Sequence, residues 1–385
     1  MGERDGPEQA ATDQVLEMRR ELILGDVDLE AGRTLEIGPL ASPFVTRAMA
    51  DVRYVDVVDR AGLVAHYGSD PTVDTDLIPE IDHWLTRDDG TVATLAETVA
   101  TDAPFHHVVA SHVIEHVPDM VGWLRDVAEV LVDGGDLLLA VPDLRFSFDA
   151  LRPAATVGQI VQAHLDQDRI PSYRAVYDYA RTAVPFPAAP AWAGAWPPEE
   201  RVNPMPRVRS LVERQQRGEY VDCHVWPLTP VRFVDVFVDL VELGLVDFAV
   251  ERVTATPYGH HEFYVTLRRI PRTADRDEHV TDALARLGEI RASLPEEERT
   301  WPHQVREAQL LERQAVLERR LARAERSLAA VTGARDRARV QRDRAREQRD
   351  RARARAALLA GLLEEDRSRL GRRVRRRLRR LLPRR

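Results

Sequence analysis

Lysine is absent from this 385-residue chain, and all 55 of its basic residues are arginine, a bias read first as codon composition. The one cysteine, Cys223, excludes an internal disulfide and fits a reducing compartment. No run approaches the roughly 18 apolar residues that a membrane-spanning helix needs. No apolar stretch follows the polar opening Met1-Gly-Glu-Arg-Asp either, so no secretory signal is expected and the location expected is cytoplasmic. Glycine is scarce where a dinucleotide fold wants it. Counting from Gly38, Leu40 holds the second glycine place of Gly-x-Gly-x-x-Gly and no glycine stands at the third, so the backbone cradle for a pyrophosphate is missing and an NAD-dependent reductase is disfavoured.

What is present is a core and an extension. A hydrophobic content of 44% supports a domain of about 250 residues, while 31% charged residues point to a further, less globular part. Residues 301–385 hold 27 arginines and 11 acids, net +16; residues 1–300 hold 28 arginines and 52 acids, net −24. The chain is thus two electrostatically opposite pieces.

The first piece is organised around Arg33-Thr-Leu-Glu-Ile-Gly-Pro-Leu-Ala-Ser-Pro-Phe44. Leu35 and Ile37 bracket Glu36 in a buried strand, Gly38 permits a sharp turn, and Ser42-Pro43 reads as an N-cap and first-turn proline for a helix over Val45 to Ala50. Strand, glycine turn and helix start make the ligand corner of a doubly wound α/β sheet. Glu36 would repel a pyrophosphate but suits a ligand bearing an ammonium and a sulfonium, such as S-adenosylmethionine. Eighteen residues after Gly38, the strand Val52-Arg-Tyr-Val-Asp56 ends in a carboxylate that can accept both hydroxyls of a ribose.

Residues 1–12 read as disordered, and Asp13 to Leu24 as a leading helix packed at the sheet edge. A helix over Ala61 to Tyr67 precedes a third strand, Ile81 to Leu85, and the turn Thr86-Arg-Asp-Asp-Gly90. A fourth strand over His107 to Ala110, a helix from Asp119 stopped by Gly134-Gly135, and a fifth strand over Asp136 to Val141 continue the alternation. An insertion rich in Pro and Trp, residues 145–228, is expected to line the acceptor pocket. Beyond it come a helix over Thr229 to Leu243 and two antiparallel strands, Val246 to Val253 and Glu262 to Leu267.

Ser111 and His112 end the fourth strand, facing the reactive end of such a ligand, where a neutral imidazole can take a proton from an acceptor hydroxyl. His112-x-x-Glu115-His116 also matches an inverted zinc-protease motif, which needs a long helix. Pro118 and the preceding strand deny that helix, so no metal is expected.

Glu36-x-Gly38, Asp56, Val109-Ala-Ser-His-Val-Ile-Glu-His116, Gly134-Gly135 and Val141-Pro-Asp143 together resemble the class I S-adenosylmethionine-dependent methyltransferases, over roughly residues 30–270. More narrowly, Glu36-Ile-Gly-Pro-Leu40, Arg53-Tyr-Val-Asp56, Val141-Pro-Asp-Leu-Arg-Phe-Ser-Phe-Asp149 and Cys223-His-Val-Trp226 resemble a bacterial methyltransferase group that accompanies surface-polysaccharide glycosyltransferases. The resemblance implies a Rossmann-like, mostly parallel seven-stranded sheet with its last strand antiparallel. It assigns Glu36, Gly38 and Pro39 to the methionine side, Asp56 to ribose, and Ser111 with His112 to the pocket floor. In a methyltransferase-like sheet an acid after the third strand, here Asp88 or Asp89, often meets the adenine amino group. The activity implied is O-methylation of a sugar or lipid-linked glycan, with His112 as base, His224 as second choice and Asp143 or Arg145 orienting the acceptor. The rival is a catalytically silent scaffold acting through its C-terminal part.

Domain boundaries follow: a methyltransferase domain over 13–270, a linker with a helix over 271–302, a long helix over 303–366 and a basic tail over 367–385. Leu310, Leu317, Ala324 and Val331 recur every seven residues, with Leu321 and Leu328 between them, the seam of a coiled coil and a route to a homo-oligomer. In the tail, Leu370, Val374, Leu378, Leu381 and Leu382 share one helical face among eleven arginines and no acid between Arg367 and Arg385. A stretch of this kind, Arg372–Arg385 above all, suits an anionic membrane surface. Nucleic acid is disfavoured, because no aromatic residues are interleaved for base stacking.

Overall fold

A computed structural model describes residues 6–195, 197–271 and 275–381. One sheet of seven strands organises it: β1 (Thr34–Ile37), β2 (Val52–Asp56), β3 (His83–Trp84), β4 (Phe105–Ser111), β5 (Leu131–Pro142), β6 (Phe248–Thr254) and β7 (Glu262–Arg269), in the spatial order 3-2-1-4-5-7-6. β1 to β5 pair in parallel, and β7 runs antiparallel to both β5 and β6. The helices are α1 (Gly6–Leu24), α2 (Arg60–Tyr67), α3 (Leu95–Thr98), α4 (Met120–Val130), α5 (Val157–Asp166), α6 (Tyr173–Thr182), α7 (Ala188–Trp192), α8 (Met205–Gln216), α9 (Pro230–Glu242), α10 (Arg276–Ser293) and α11 (Glu296–Leu381).

Alternation along the strands gives the sheet two apolar faces. Leu35, Ile37, Val108, Ala110, Leu137, Leu139, Val141, Phe263, Val265 and Leu267 share one buried cluster with α4, α9 and α10. Their neighbours Val109, Leu138, Ala140 and Tyr264 face the other way and pack with Ile23 and Leu24 of α1. α1 therefore lies on the middle of the sheet rather than at its edge, because its Ile23 and Leu24 are apolar enough to be buried there, each burial worth about 1.5–3 kcal/mol. The helix also begins at Gly6, inside the segment expected to be disordered.

Three further expectations need correction. No helix forms over Val45 to Ala50: the chain runs through turns from Leu40 to Val52, and Ser42 caps nothing. The amides that a helix start would leave free, those of Phe44 and Val45, are taken by the Glu36 carboxylate instead. Gly134 stands within β5 at φ 76° and does not end α4, which stops at Val130. The helix expected in a polar linker, α10, is part of the core: Ala283, Leu287 and Ile290 are buried against α9 and β6.

The segment between β5 and α9 carries α5 to α8 and a small core of its own around Val176, Ala180, Leu211 and Cys223. The chain divides into two compact units, Met1–Pro302 and His303–Arg385. Within the second, α11 runs without interruption to Leu381, and Leu317, Leu321, Leu328, Val331, Leu370 and Val374 are all more than half exposed. The expected Leu382-Pro-Arg-Arg385 end lies outside the described residues. Among the described residues, no helix is long and apolar enough to cross a membrane.

Candidate active site

The carboxyl ends of β1, β2 and β4 lie side by side at the point where the strand order reverses, which is where open α/β sheets hold a ligand in a crevice. Gly38 turns the chain there in the left-handed region, φ 66°, its amide bonded to the Val55 carbonyl at 2.9 Å; Pro39 is buried and Leu40 is also left-handed at φ 42°. A Cβ on Gly38 would stand 3.5 Å from Val113, so the turn after β1 directly faces the residues after β4.

Glu36 does not present a free carboxylate to this crevice. It is 2% exposed, and its two oxygens accept from the amides of Phe44 at 2.7 Å and Val45 at 2.9 Å. Burial pushes its carboxyl up to about 7, against those two bonds and the charge of Arg20. Its geometry makes it the brace of the turn rather than the partner of an ammonium. The folded chain thus keeps a proton that an unfolded glutamate, near 4.5, has released. Stability is full below that value and falls as pH rises through about 7, by about 3 kcal/mol. Urea unfolding at about pH 5 and about pH 8 should show the fall in wild type and a flatter profile in Glu36→Gln, which is less stable throughout because an amide oxygen cannot accept from both backbone groups.

Asp56 stands at the tip of β2, where its Oδ1 accepts from Val57 N at 2.7 Å and burial raises its pKa; among the described residues no arginine or histidine pairs with it. Burial first, then the charges of Asp222, Asp56 and Asp70, raise the pKa of Tyr67. Asp89 is a correction: with Asp88 it is exposed, and its Oδ1 closes its own turn by accepting from Thr91 N at 2.9 Å and Thr91 Oγ1 at 2.6 Å. The apolar groups exposed at these strand tips are Val57 and Trp84, the latter in register with Asp56.

At the end of β4, Ser111 is half-buried, with Arg19 Nη2 3.4 Å from its hydroxyl. His112 adopts φ 54°, a conformation costing a non-glycine residue about 1–3 kcal/mol and typical of functional sites. The turn aims its Nε2 at Glu262 Oε2, 2.6 Å away. Glu262, 1% exposed, also accepts from Arg19 at 2.5 and 2.8 Å and from the Tyr264 hydroxyl at 2.6 Å. Burial opposes its ionisation, but the bonds and charges of His112 and Arg19 outweigh burial and hold its carboxyl far below the usual range. Glu262 is therefore a fixed anion, and it orients His112.

His224 is 7% exposed, its Nδ1 2.6 Å from Asp149 Oδ2, and Arg152 holds both Asp149 and the His224 carbonyl at 2.8 Å. The Glu115 carbonyl accepts from Val225 N at 2.6 Å, which docks the His224 segment against the turn after β4. Asp143, expected beside the acceptor, is a correction: it is fully buried and saturated by Arg145 and by the Thr256 hydroxyl at 2.6 Å. Those bonds tie β5 to the loop before β7, so Asp143 and Arg145 act in the scaffold. Glu262, Arg19, Asp149 and Asp222 were missed; only the His260-His261-Glu262 run beginning a strand offered a signal.

The strand order, with β7 reversed, is that of the Rossmann-like class I methyltransferase fold. No protein-family model matches the sequence, and no curated protein matches it. Solved structures do. The CurJ carbon methyltransferase matches 67% of this chain at 11% identity and a TM-score of 0.30; the match covers 53% of that chain, so this one spans about half its length. StiE O-MT, residues 961-1257, matches 75% of this chain and 85% of its own at 12% identity and a TM-score of 0.32. The N-methyltransferase NodS from Bradyrhizobium japonicum WM9, in complex with S-adenosyl-l-homocysteine, matches 69% and 89% at 13% identity and a TM-score of 0.29. These are likenesses of fold alone.

Proposed function

We propose that this chain is an S-adenosylmethionine-dependent methyltransferase acting on a hydroxyl of a sugar or lipid-linked glycan. The observation that carries the reading is Asp56, a partly buried carboxylate at the tip of β2 with no cationic partner among the described residues, beside a left-handed glycine turn at the tip of β1. Both oxygens of a ribose diol can donate to such a carboxylate. Gly38 leaves room for the ligand's methionine end, Glu36 holds the turn in shape, and Val57 and Trp84 are the apolar surfaces available to adenine. Bound there, S-adenosylmethionine supplies a methyl carbon already activated by its sulfonium, which becomes a thioether when an acceptor oxygen takes the methyl group.

The chain's own residues then have to align the acceptor, exclude water and accept one proton. His112 suits the proton-accepting role, because donating its Nε2–H to Glu262 leaves Nδ1 with a lone pair. The glycan acceptor rests on the narrower motif resemblance, and the α5–α8 segment beside His224 is the part free to line its pocket. Incubation with S-adenosylmethionine labelled in its methyl group, followed by mass spectrometry of lipid-linked and nucleotide-linked sugars, tests this reading. Label is expected in an oxygen-linked methyl group, and label found only on nitrogen or carbon acceptors would refute the hydroxyl assignment.

The C-terminal unit fits a peripheral attachment. Arginines fill the stretch from Arg372, while Leu370 and Val374 are exposed on the same helix. Anionic vesicles should retain the full chain at low salt and release it as salt rises, and a chain ending before Arg367 should not bind. Equal retention of that shorter chain would remove the tail from the account. The seam residues Leu317, Leu321, Leu328 and Val331 are exposed and available for pairing with a second copy.

A further inference from the structure

Glu115 is the most isolated charge in the site. It is 1% exposed, and neither carboxylate oxygen has a hydrogen-bond partner. Burying a carboxylate without partners is costly, and such a group needs an explanation. Three imidazole nitrogens surround its Oε1: His116 Nε2 at 3.7 Å, His112 Nδ1 at 3.8 Å and His224 Nε2 at 3.9 Å. These separations are too long for hydrogen bonds. They are right for donors sharing a cation, since two atoms each about 2.1 Å from one ion stand about 3–4 Å apart.

The outer nitrogens of the same rings each face a carboxylate. His116 Nδ1 meets Asp222 Oδ1 at 2.8 Å, and His224 Nδ1 meets Asp149 Oδ2 at 2.6 Å. A neutral imidazole that gives its one N–H to a carboxylate presents a lone pair at the other nitrogen. Two lone pairs and a carboxylate would then converge with nothing between them. Carboxylates behind imidazoles that face a common point are the usual outer support of a metal site. The Glu115, His116 and His224 donor atoms all lie within 4.8 Å of one another.

We infer that Glu115, His116 and His224 bind a divalent transition-metal ion, with an open coordination position on the side of His112. Two imidazoles and a carboxylate are a donor set for Zn²⁺ and its neighbours rather than for Mg²⁺ or Ca²⁺. The donor set is not that of the inverted-protease motif: Ile114–His116 is a single short turn that supplies Glu115 and His116, and His224 arrives from the docked segment after α8. A second grouping, His112, His261 and Glu262, lies nearby, but its carboxylate is already occupied by Arg19 and Tyr264.

The role at the open position rests on the proposed function. There the ion would take the acceptor's hydroxyl oxygen and lower its pKa, and the proton would pass to Nδ1 of His112. Metal binding itself does not depend on that reading. The full chain, without an affinity tag containing histidine, is stripped with chelator and titrated with Co²⁺ while its visible absorption is followed, with Zn²⁺ as competitor. One equivalent should bind. His116→Ala should abolish binding, and Asp222→Asn, which alters an exposed outer carboxylate and leaves the core intact, should weaken it about 10–100-fold. Absence of a Co²⁺ band in the wild type, or wild-type affinity in both variants, overturns the inference. Calorimetry with S-adenosylhomocysteine on the same samples reports the crevice separately: its failure beside intact metal binding would count against the proposed function alone.

Discussion

Replacement of His112 by asparagine is expected to lower turnover by about 10²–10⁴-fold while S-adenosylhomocysteine still binds as it does to wild type. Asparagine is the informative choice because it tolerates the left-handed backbone that His112 adopts at φ 54°, so the fold is not strained by the change. The size of the loss follows from geometry. Glu262 is held anionic by Arg19 and His112, and its 2.6 Å bond to Nε2 fixes the ring so that Nδ1 alone is free to take a proton. A side chain that merely bridged β4 and β7 would change stability and leave turnover per folded molecule untouched. The kinetic constants separate the two: a base role lowers kcat with KM and S-adenosylhomocysteine affinity unchanged, whereas a purely structural role leaves kcat per folded molecule as in the wild type. Unchanged turnover in folded His112→Asn would exclude the residue from the chemistry.

Much of the fold was legible because the strands are short, strongly apolar and bounded by turn residues. β1, β2, β4 and β5 fall where Leu35, Val55, Val109 and Leu139 place them, and α9 matches its amphipathic pattern from the Thr229 cap onward. The errors share a physical origin in side chains that reach across the sequence. Ser42-Pro43 has the local chemistry of a helix start, but Glu36 captures the next two amides and the chain stays in turns. α10 has a mostly polar surface, and only its contacts with α9 and β6 reveal that Leu287 belongs to the core.

The site divides along the same line. The positions of Gly38, Asp56, Ser111 and His112 at strand ends were legible because strand ends carry their own punctuation, and the sheet topology sets those ends side by side. Asp89 and Asp143 were misplaced, since a turn acid and a buried scaffold acid look alike in sequence. Glu262 was signalled only by the His-His-Glu run that opens β7, 150 residues after His112, and Arg19 lay on a helix that pattern alone set at the sheet edge. Glu115 was noted only as part of a motif that its short turn denies, and its significance appears once His224 is seen beside it.

The second large effect concerns Asp56, on which the cofactor assignment turns. Among the described residues its carboxylate has no cation beside it, and its hydrogen bond is with the neighbouring Val57 amide. Replacing it with alanine should therefore leave stability close to wild type while removing the carboxylate proposed to accept from two ribose hydroxyls. Two hydrogen bonds to a charged group, each worth about 1.5–3 kcal/mol, correspond to a loss of at least about 100-fold in affinity. Titration calorimetry of the full chain with S-adenosylhomocysteine is the most direct test. The account predicts one site per chain in the wild type and in His112→Asn, and heats too weak to fit in Asp56→Ala. Wild-type protein that takes up no S-adenosylhomocysteine, or an Asp56→Ala variant that binds it undiminished, would contradict it.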